Sequence, residues 1–117
     1  GQRVIMCSGK IYWELVAERA KLSDNSTAII RVEQLYPLPV IDIVAEFGKH
    51  PSAKLFWVQD EPANQGPWPF VSANLAEHLG GRTLRRVSRR AAASPATGSI
   101  YVHEEEQKAL IAEAFAR

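Results

Sequence analysis

Apolar residues follow two alternating rhythms along this chain. Val4-Ile5-Met6-Cys7, Ala28-Ile29-Ile30-Arg31-Val32, Lys54-Leu55-Phe56-Trp57-Val58-Gln59 and Thr83-Leu84-Arg85-Arg86-Val87-Ser88 are short runs rich in β-branched, aromatic and aliphatic side chains, and each reads as a strand. The first is apolar at every position, as a strand covered on both faces is. Helical spacing takes over between and after them. From 10 to about 22, Ile11, Leu15 and Leu22 mark one face of an amphipathic helix, with Tyr12, Val16 and Arg19 beside it. Pro37 and Pro39 end the second strand and set up a helix start; Val40, Ile41, Val44 and Phe47 then repeat at helical spacing as far as a stop at Gly48. Phe70, Val71, Leu75 and Leu79 outline a third helix closed by Gly80-Gly81. A fourth runs from about 102, with Leu110, Ile111, Ala114 and Phe115 on its buried side and Glu104 with Lys108 as an i,i+4 pair.

Turn chemistry separates these elements. Ser23-Asp24-Asn25-Ser26 is a polar turn cluster, Asp60-Glu61-Pro62-Ala63-Asn64-Gln65-Gly66-Pro67 reads as a loop, and an Ala/Ser/Pro/Gly stretch fills 89–99. Strand and helix alternate four times. That order predicts an α/β fold: one domain across 1–117, with a mostly parallel, twisted sheet and helices on both faces. All four runs are expected in one sheet. The first three should be parallel, and Arg85 and Arg86 suit the fourth to an edge.

Composition narrows the class. The 117 residues are 46% hydrophobic and 23% charged, and a chain of this size buries roughly 65% of its unfolded surface without metal or disulfide staples. Fourteen Lys and Arg balance thirteen Asp and Glu, and the signs are mixed, which argues against a nucleic-acid module. No apolar run approaches about 18 residues, so no membrane span is predicted. A single cysteine excludes an internal disulfide framework and suits a reducing compartment. The chain opens Gly1-Gln2-Arg3 with no initiator Met or leader pattern, and is expected to be a fragment of something larger.

Few residues offer chemistry. Ser8-Gly9-Lys10 resembles the end of a phosphate loop, but Val4 stands where that motif needs a Gly, and there is no GxGxxG. His50, His78 and His103 lie on different elements, no metal-ligand spacing emerges, and Cys7 reads as a small buried hydrophobe. Asp60 and Glu61 sit where the third strand should end, at the carboxyl edge where open α/β sheets bind ligands. They could act as general acid and base, or they could join Asn64 and Gln65 in pinning an irregular loop. Arg82, Arg85, Arg86, Arg89 and Arg90 could pair with phosphates, meet acidic groups across an interface, or form a solvated strand end. Trp57, Trp68 and Phe70 are either core or a surface covered by another domain.

Three segments carry a family resemblance: residues 4–10 (VIMCSGK), 30–37 (IRVEQLYP) and 59–68 (QDEPANQGPW). They resemble the C-terminal domain of the first, thiamine-diphosphate-dependent decarboxylase component of 2-oxoglutarate dehydrogenase. Ser94-Pro95-Ala96-Thr97-Gly98 and Val102-His103 look like the end of that family, and Val87-Ser88-Arg89-Arg90 like its actinobacterial branch. The related 2-oxoadipate dehydrogenase component shares much of the pattern, and an independent small α/β enzyme using Asp60 and Glu61 is the other reading.

The resemblance implies a transketolase C-terminal-domain-like fold in a homodimeric enzyme of the tricarboxylic acid cycle. It implies thiamine diphosphate and Mg²⁺ held upstream, with no catalytic, cofactor-binding or metal-binding residue in this chain. Its implied partners are the upstream domains, a second subunit and the dihydrolipoamide succinyltransferase component. Its implied location is the bacterial cytoplasm, or the mitochondrial matrix if the source is eukaryotic. In the actinobacterial branch it further implies regulation by acyl-CoA such as acetyl-CoA. Ser8, Lys10, Arg31, Arg86, Arg89 and Arg90 are the candidate phosphate contacts, and Asp60, Glu61, Asn64, Gln65, Trp68 and Phe70 the candidate domain-interface loop.

Overall fold

The computed structural model describes residues 2–90 and 100–116. Its elements are β1 (Arg3–Cys7), α1 (Ile11–Lys21), β2 (Thr27–Arg31), α2 (Val40–Gly48), β3 (Lys54–Pro62), α3 (Trp68–Leu75) with a 3₁₀ turn at Ala76–His78, β4 (Leu84–Arg89) and α4 (Ile100–Ala114). The Ser94–Gly98 motif and most of the Ala/Ser/Pro/Gly stretch lie outside the described residues. No helix among the described residues is long and apolar enough to cross a membrane.

All four strands form one parallel sheet in the order β2-β1-β3-β4. This is the α/β arrangement expected of a transketolase C-terminal domain. β1 lies between β2 and β3, which is why all five of its residues are buried and its sequence shows no alternation. Two cores follow from the pleat. Val4, Met6, Leu55 and Trp57 face α2 and α3 through Ile43, Phe47, Val71 and Leu75. Ile5, Cys7, Val58 and Val87 face α1 and α4 through Ile11, Leu15, Leu110 and Phe115. The chain leaves β1 toward β2 and returns past it to β3, so the strand order reverses between β1 and β3. A doubly wound sheet opens a crevice at the carboxyl ends of such a pair.

Two arginines close the opposite, amino end. Arg3 donates from Nη1 to the carbonyl of Ala114 at 2.5 Å and from Nη2 to that of Ala116 at 2.6 Å, with its guanidinium over the Phe56 ring. Arg82 donates to the carbonyls of Phe47, His50 and Ala53 at 2.8, 2.8 and 2.6 Å. Arg3 meets carbonyls at the end of α4, while Arg82 adds a charged donor to the Phe47 and His50 carbonyls, which also accept from the backbone N–H groups of His50 and Ala53, and reaches that of Ala53 just before β3. Arg82 therefore leaves the predicted arginine cluster and acts as a cap.

Several expectations need correction. β3 runs on to Pro62, where a loop was expected; its register with β4 shifts between Val58 and Pro62, and such an irregularity tolerates a proline. Leu22 falls past the end of α1 and is exposed, and Ile41 is 85% exposed. α2 begins at Val40, and Ile43 and Phe47, four residues apart, set its buried face, which turns Ile41 outward. Lys108 pairs with Glu105 at 3.5 Å rather than with Glu104. The third helix is shorter than expected, giving way to the 3₁₀ turn before Gly80 and Gly81, which both have positive φ.

Candidate functional site at the carboxyl edge

Every strand of a parallel sheet delivers its last residues to one edge, and this edge gathers most of the chain's candidate chemistry. Ser8, Gly9 and Lys10 turn from β1 into α1 there, and Arg31 closes β2 beside them. Arg31 stacks its guanidinium over Tyr12 at 5.5 Å and Trp13 at 5.7 Å and lies 3.7 Å from Glu33. A shallow cavity of about 410 Å³ is lined by Ser8, Gly9, Arg31, Val32, Leu35 and Tyr36, among others. Ser8 and Arg31 therefore meet in one concavity, with Lys10 on the adjoining turn.

The β4 cations form a second group, separated from the first by β3. Arg86 stands exposed in mid-strand opposite Trp57. Arg89 binds Glu106 at 2.9 Å and also donates to Oε1 of Gln107. Arg90, exposed, borders a hollow of about 460 Å³ with Arg89, Glu106 and Glu113. The six candidate phosphate contacts thus divide between the two sides of the sheet.

Asp60 and Glu61 do not converge. Consecutive strand residues point to opposite faces, and Asp60 accepts from Nε2 of Gln107 at 2.8 Å, while Glu61 is exposed with its side chain laid against Gly66. Gly66 has φ +64, a conformation that favours glycine, while a Cβ there would require only the exposed Glu61 side chain, 2.7 Å away at Cδ, to swing aside. Gln107 also donates to Glu14 of α1 at 2.8 Å, so one side chain of α4 ties together α1, β3 and β4 across the β1–β3 crevice.

The loop after β3 is pinned by Gln59, which is buried. Its Oε1 accepts from Nε1 of Trp57 at 2.9 Å and from the backbone N–H of Trp68 at 2.8 Å. Its Nε2 donates to the carbonyls of Glu61, Pro62 and Gln65 at 3.1, 2.9 and 2.9 Å. The loop-holding reading gave this task to Asp60, Glu61, Asn64 and Gln65; Gln59 performs it instead, while Asp60 bonds Gln107 and Glu61, Asn64 and Gln65 stay exposed. The three aromatics separate: Trp57 is core, Trp68 is half-buried against it, and Phe70 meets the Tyr36 ring at 4.4 Å.

Sequence reasoning passed over Gln59, Gln107, Trp13 and Tyr36. Gln59 carried a signal, a polar residue directly after five strand residues of which four are apolar; Gln107 carried none among the charged residues around it. Trp13 is 62% and Tyr36 66% exposed, so with Ile41 they form an apolar fringe on the first turns and loops of this edge. Cys7, behind the edge, is a small core residue whose thiol burial pushes up to about 12, with Arg31 drawing it down and Asp60 adding to the rise. Among the described residues, no three His, Cys, Asp or Glu side chains gather as a metal would require.

The family described as 2-oxoglutarate dehydrogenase C-terminal matches residues 1–115. The chain belongs to that family. The 2-oxoglutarate dehydrogenase E1 component of Cupriavidus necator is 49% identical over 99% of this chain and 12% of its own length. The multifunctional 2-oxoglutarate metabolism enzyme of Mycobacterium sp. strain JLS is 46% identical over 97% of the chain and 9% of its own length. The 2-oxoglutarate dehydrogenase E1/E2 component of Corynebacterium glutamicum is 46% identical over 97% and 10%. The chain therefore spans about a tenth of the length of these relatives. Similarity extends to actinobacterial relatives and to Cupriavidus alike.

Proposed function

We propose that this chain serves as the C-terminal structural and regulatory domain of a thiamine-diphosphate-dependent 2-oxoglutarate dehydrogenase component. That enzyme, a homodimer, decarboxylates 2-oxoglutarate oxidatively and passes the succinyl group to the lipoyl groups of the succinyltransferase component. One observation supports the non-catalytic role of this domain most directly. The polar side chains of the crevice bond one another, Gln107 to Asp60 and Glu14, Arg89 to Glu106, and among the described residues none forms a nucleophile–base pair. Among the described residues the donors present do not fit a Mg²⁺-diphosphate site, and we assign the cofactor to residues outside this chain. The test is calorimetry with thiamine diphosphate and Mg²⁺: the isolated chain gives no micromolar binding, while the full-length enzyme binds the cofactor and turns over 2-oxoglutarate. Micromolar binding by the chain alone would overturn the assignment.

The exposed fringe of Trp13, Tyr36 and Ile41, continued by the loop through Trp68 and Phe70, is the face we assign to the upstream domains. Apolar groups of that size gathered on one edge suit a covered surface. The concavity of Ser8 and Arg31, with Lys10 beside it, is our candidate for the phosphates of acetyl-CoA, since the positive end of the α1 dipole lies there. In the full-length enzyme, Lys10→Ala and Arg31→Ala should each lower activator affinity more than about tenfold, as loss of a charge-assisted contact does. The Arg89→Ala/Arg90→Ala double variant, on the far side of the sheet, should lower it less. Unchanged activation in all three variants removes the regulatory site.

A further inference from the structure

Two loops of the carboxyl edge touch through one pair of rings. Tyr36, between β2 and α2, meets Phe70, in the first turn of α3, with ring centroids 4.4 Å apart and planes tilted by 48°. Tyr36 also lines the concavity that holds Ser8 and Arg31. It is a wall of that concavity on one side and a neighbour of α3 on the other. Among the described residues, none from 59 to 71 lines the concavity itself. Arg31 keeps only a long 3.7 Å pairing with the exposed Glu33, which leaves its charge available to an anion there.

The two rings are held very differently. Phe70 is half-buried against the first core and follows Trp68, whose backbone N–H donates to Gln59 at 2.8 Å. Gln59 in turn donates to the carbonyls of Glu61, Pro62 and Gln65, and the Val71 N–H donates to the Pro67 carbonyl at 2.9 Å. Residues 61–71 are thus one hydrogen-bonded body with Phe70 on its flank. Tyr36 has far less support. Gln34 holds its backbone carbonyl at 3.3 Å, while the ring is exposed and leans on Phe70.

We propose that Tyr36 transmits occupancy of the concavity to residues 61–71. An anion beside Arg31 confines the Tyr36 ring, and the confined ring steadies Phe70 and the body behind it. This rests on the reading of the concavity as an anion site. The coupling is one of order and needs no second conformation, because a segment already stilled takes less free energy to fix again. It runs both ways: loosening Phe70 weakens the anion by the factor with which the anion steadies Phe70. An aromatic pair sets the scale at about two- to tenfold. The concavity thereby governs how firmly the loop through Trp68 and Phe70 is presented to its neighbours.

The test uses this chain and inorganic pyrophosphate, with affinity from calorimetry and amide exchange read residue by residue. At saturation, exchange at Gln65 and Trp68 is expected to slow by about two- to tenfold. Saturated Tyr36→Leu should lose that slowing, and Tyr36→Phe, which keeps the ring, should retain it. Phe70→Leu, outside the concavity, should lower pyrophosphate affinity by the same factor. Binding without slowing at these amides, slowing that survives Tyr36→Leu, or affinity unchanged in Phe70→Leu overturns the coupling and leaves the anion site standing. No binding at millimolar pyrophosphate removes the anion site and the coupling together.

Discussion

The amino and carboxyl ends of this sheet use the same residue type for different ends. At the amino end, where α2 and α4 finish, Arg3 and Arg82 turn their guanidinium groups onto backbone carbonyls. Helix C-termini carry roughly half a negative charge and unpaired acceptors, so a cation there is held twice over, by charge and by hydrogen bonds. At the carboxyl end the helices begin, and the same dipole repels a cation. Arg31 lies instead across aromatic faces and near Glu33, and Arg89 finds side chains of α4. Cations at the amino end hold the fold together, while those at the carboxyl end are disposed toward something outside it.

Removing an amino-end arginine should therefore have the largest effect on stability. Arg82→Leu removes three charge-assisted hydrogen bonds, although the Phe47 and His50 carbonyls keep their backbone donors, and is expected to cost on the order of 3 kcal/mol, read as a fall in the urea midpoint at constant slope. A loss under about 1 kcal/mol would erase the contrast between the ends. Gln59→Leu comes next, at about 2 kcal/mol, because it strips five hydrogen bonds from the segment between Trp57 and Trp68. Hydrogen exchange should quicken along 61–68 while the sheet stays protected.

Cys7 tests whether the carboxyl end hides a stabilising group of its own. Its folded value near 12 lies above the ordinary 9.0, so the stability from keeping the thiol neutral is intact below pH 9 and is lost between 9 and 12. At pH 10 the wild type should have lost about 1.4 kcal/mol more than Cys7→Ala, measured against each protein's own value at neutral pH. The smallest effect sharpens the contrast: Lys10→Ala and Arg31→Ala should leave the urea midpoint unchanged. A marked drop in either would make these residues structural as well.

Much of this fold was legible from spacing alone. Four apolar runs, each followed by a helical stretch, allow little besides a parallel sheet, and β1 announced its central place by having no polar position. Legibility failed where the deciding contact was distant in sequence. Ile41 and Leu22 belong to apolar patterns, yet the helix start at Val40 and the helix end at Lys21 leave them in solvent. Arg82 looks like one more arginine of a cluster until α2 ends beside it. Asp60 and Glu61, adjacent in sequence, part company because a strand sends neighbours to opposite faces. Gln107 meets three elements from a helix face where it reads as solvated. The residues of the carboxyl edge could be named from the sequence, but their division into two groups came only with the order β2-β1-β3-β4.

The bonds from Arg3 to Ala114 and Ala116 also set a schedule. A ribosome makes the first strand long before the last helix, and until that helix emerges a guanidinium meant for the interior has no acceptors there. The second core waits as well, since Leu110, Ile111, Ala114 and Phe115 complete it. The domain thus cannot close its second core until α4 has been made, and a chain still lacking α4 presents an open sheet face that a protease can tell from a folded one.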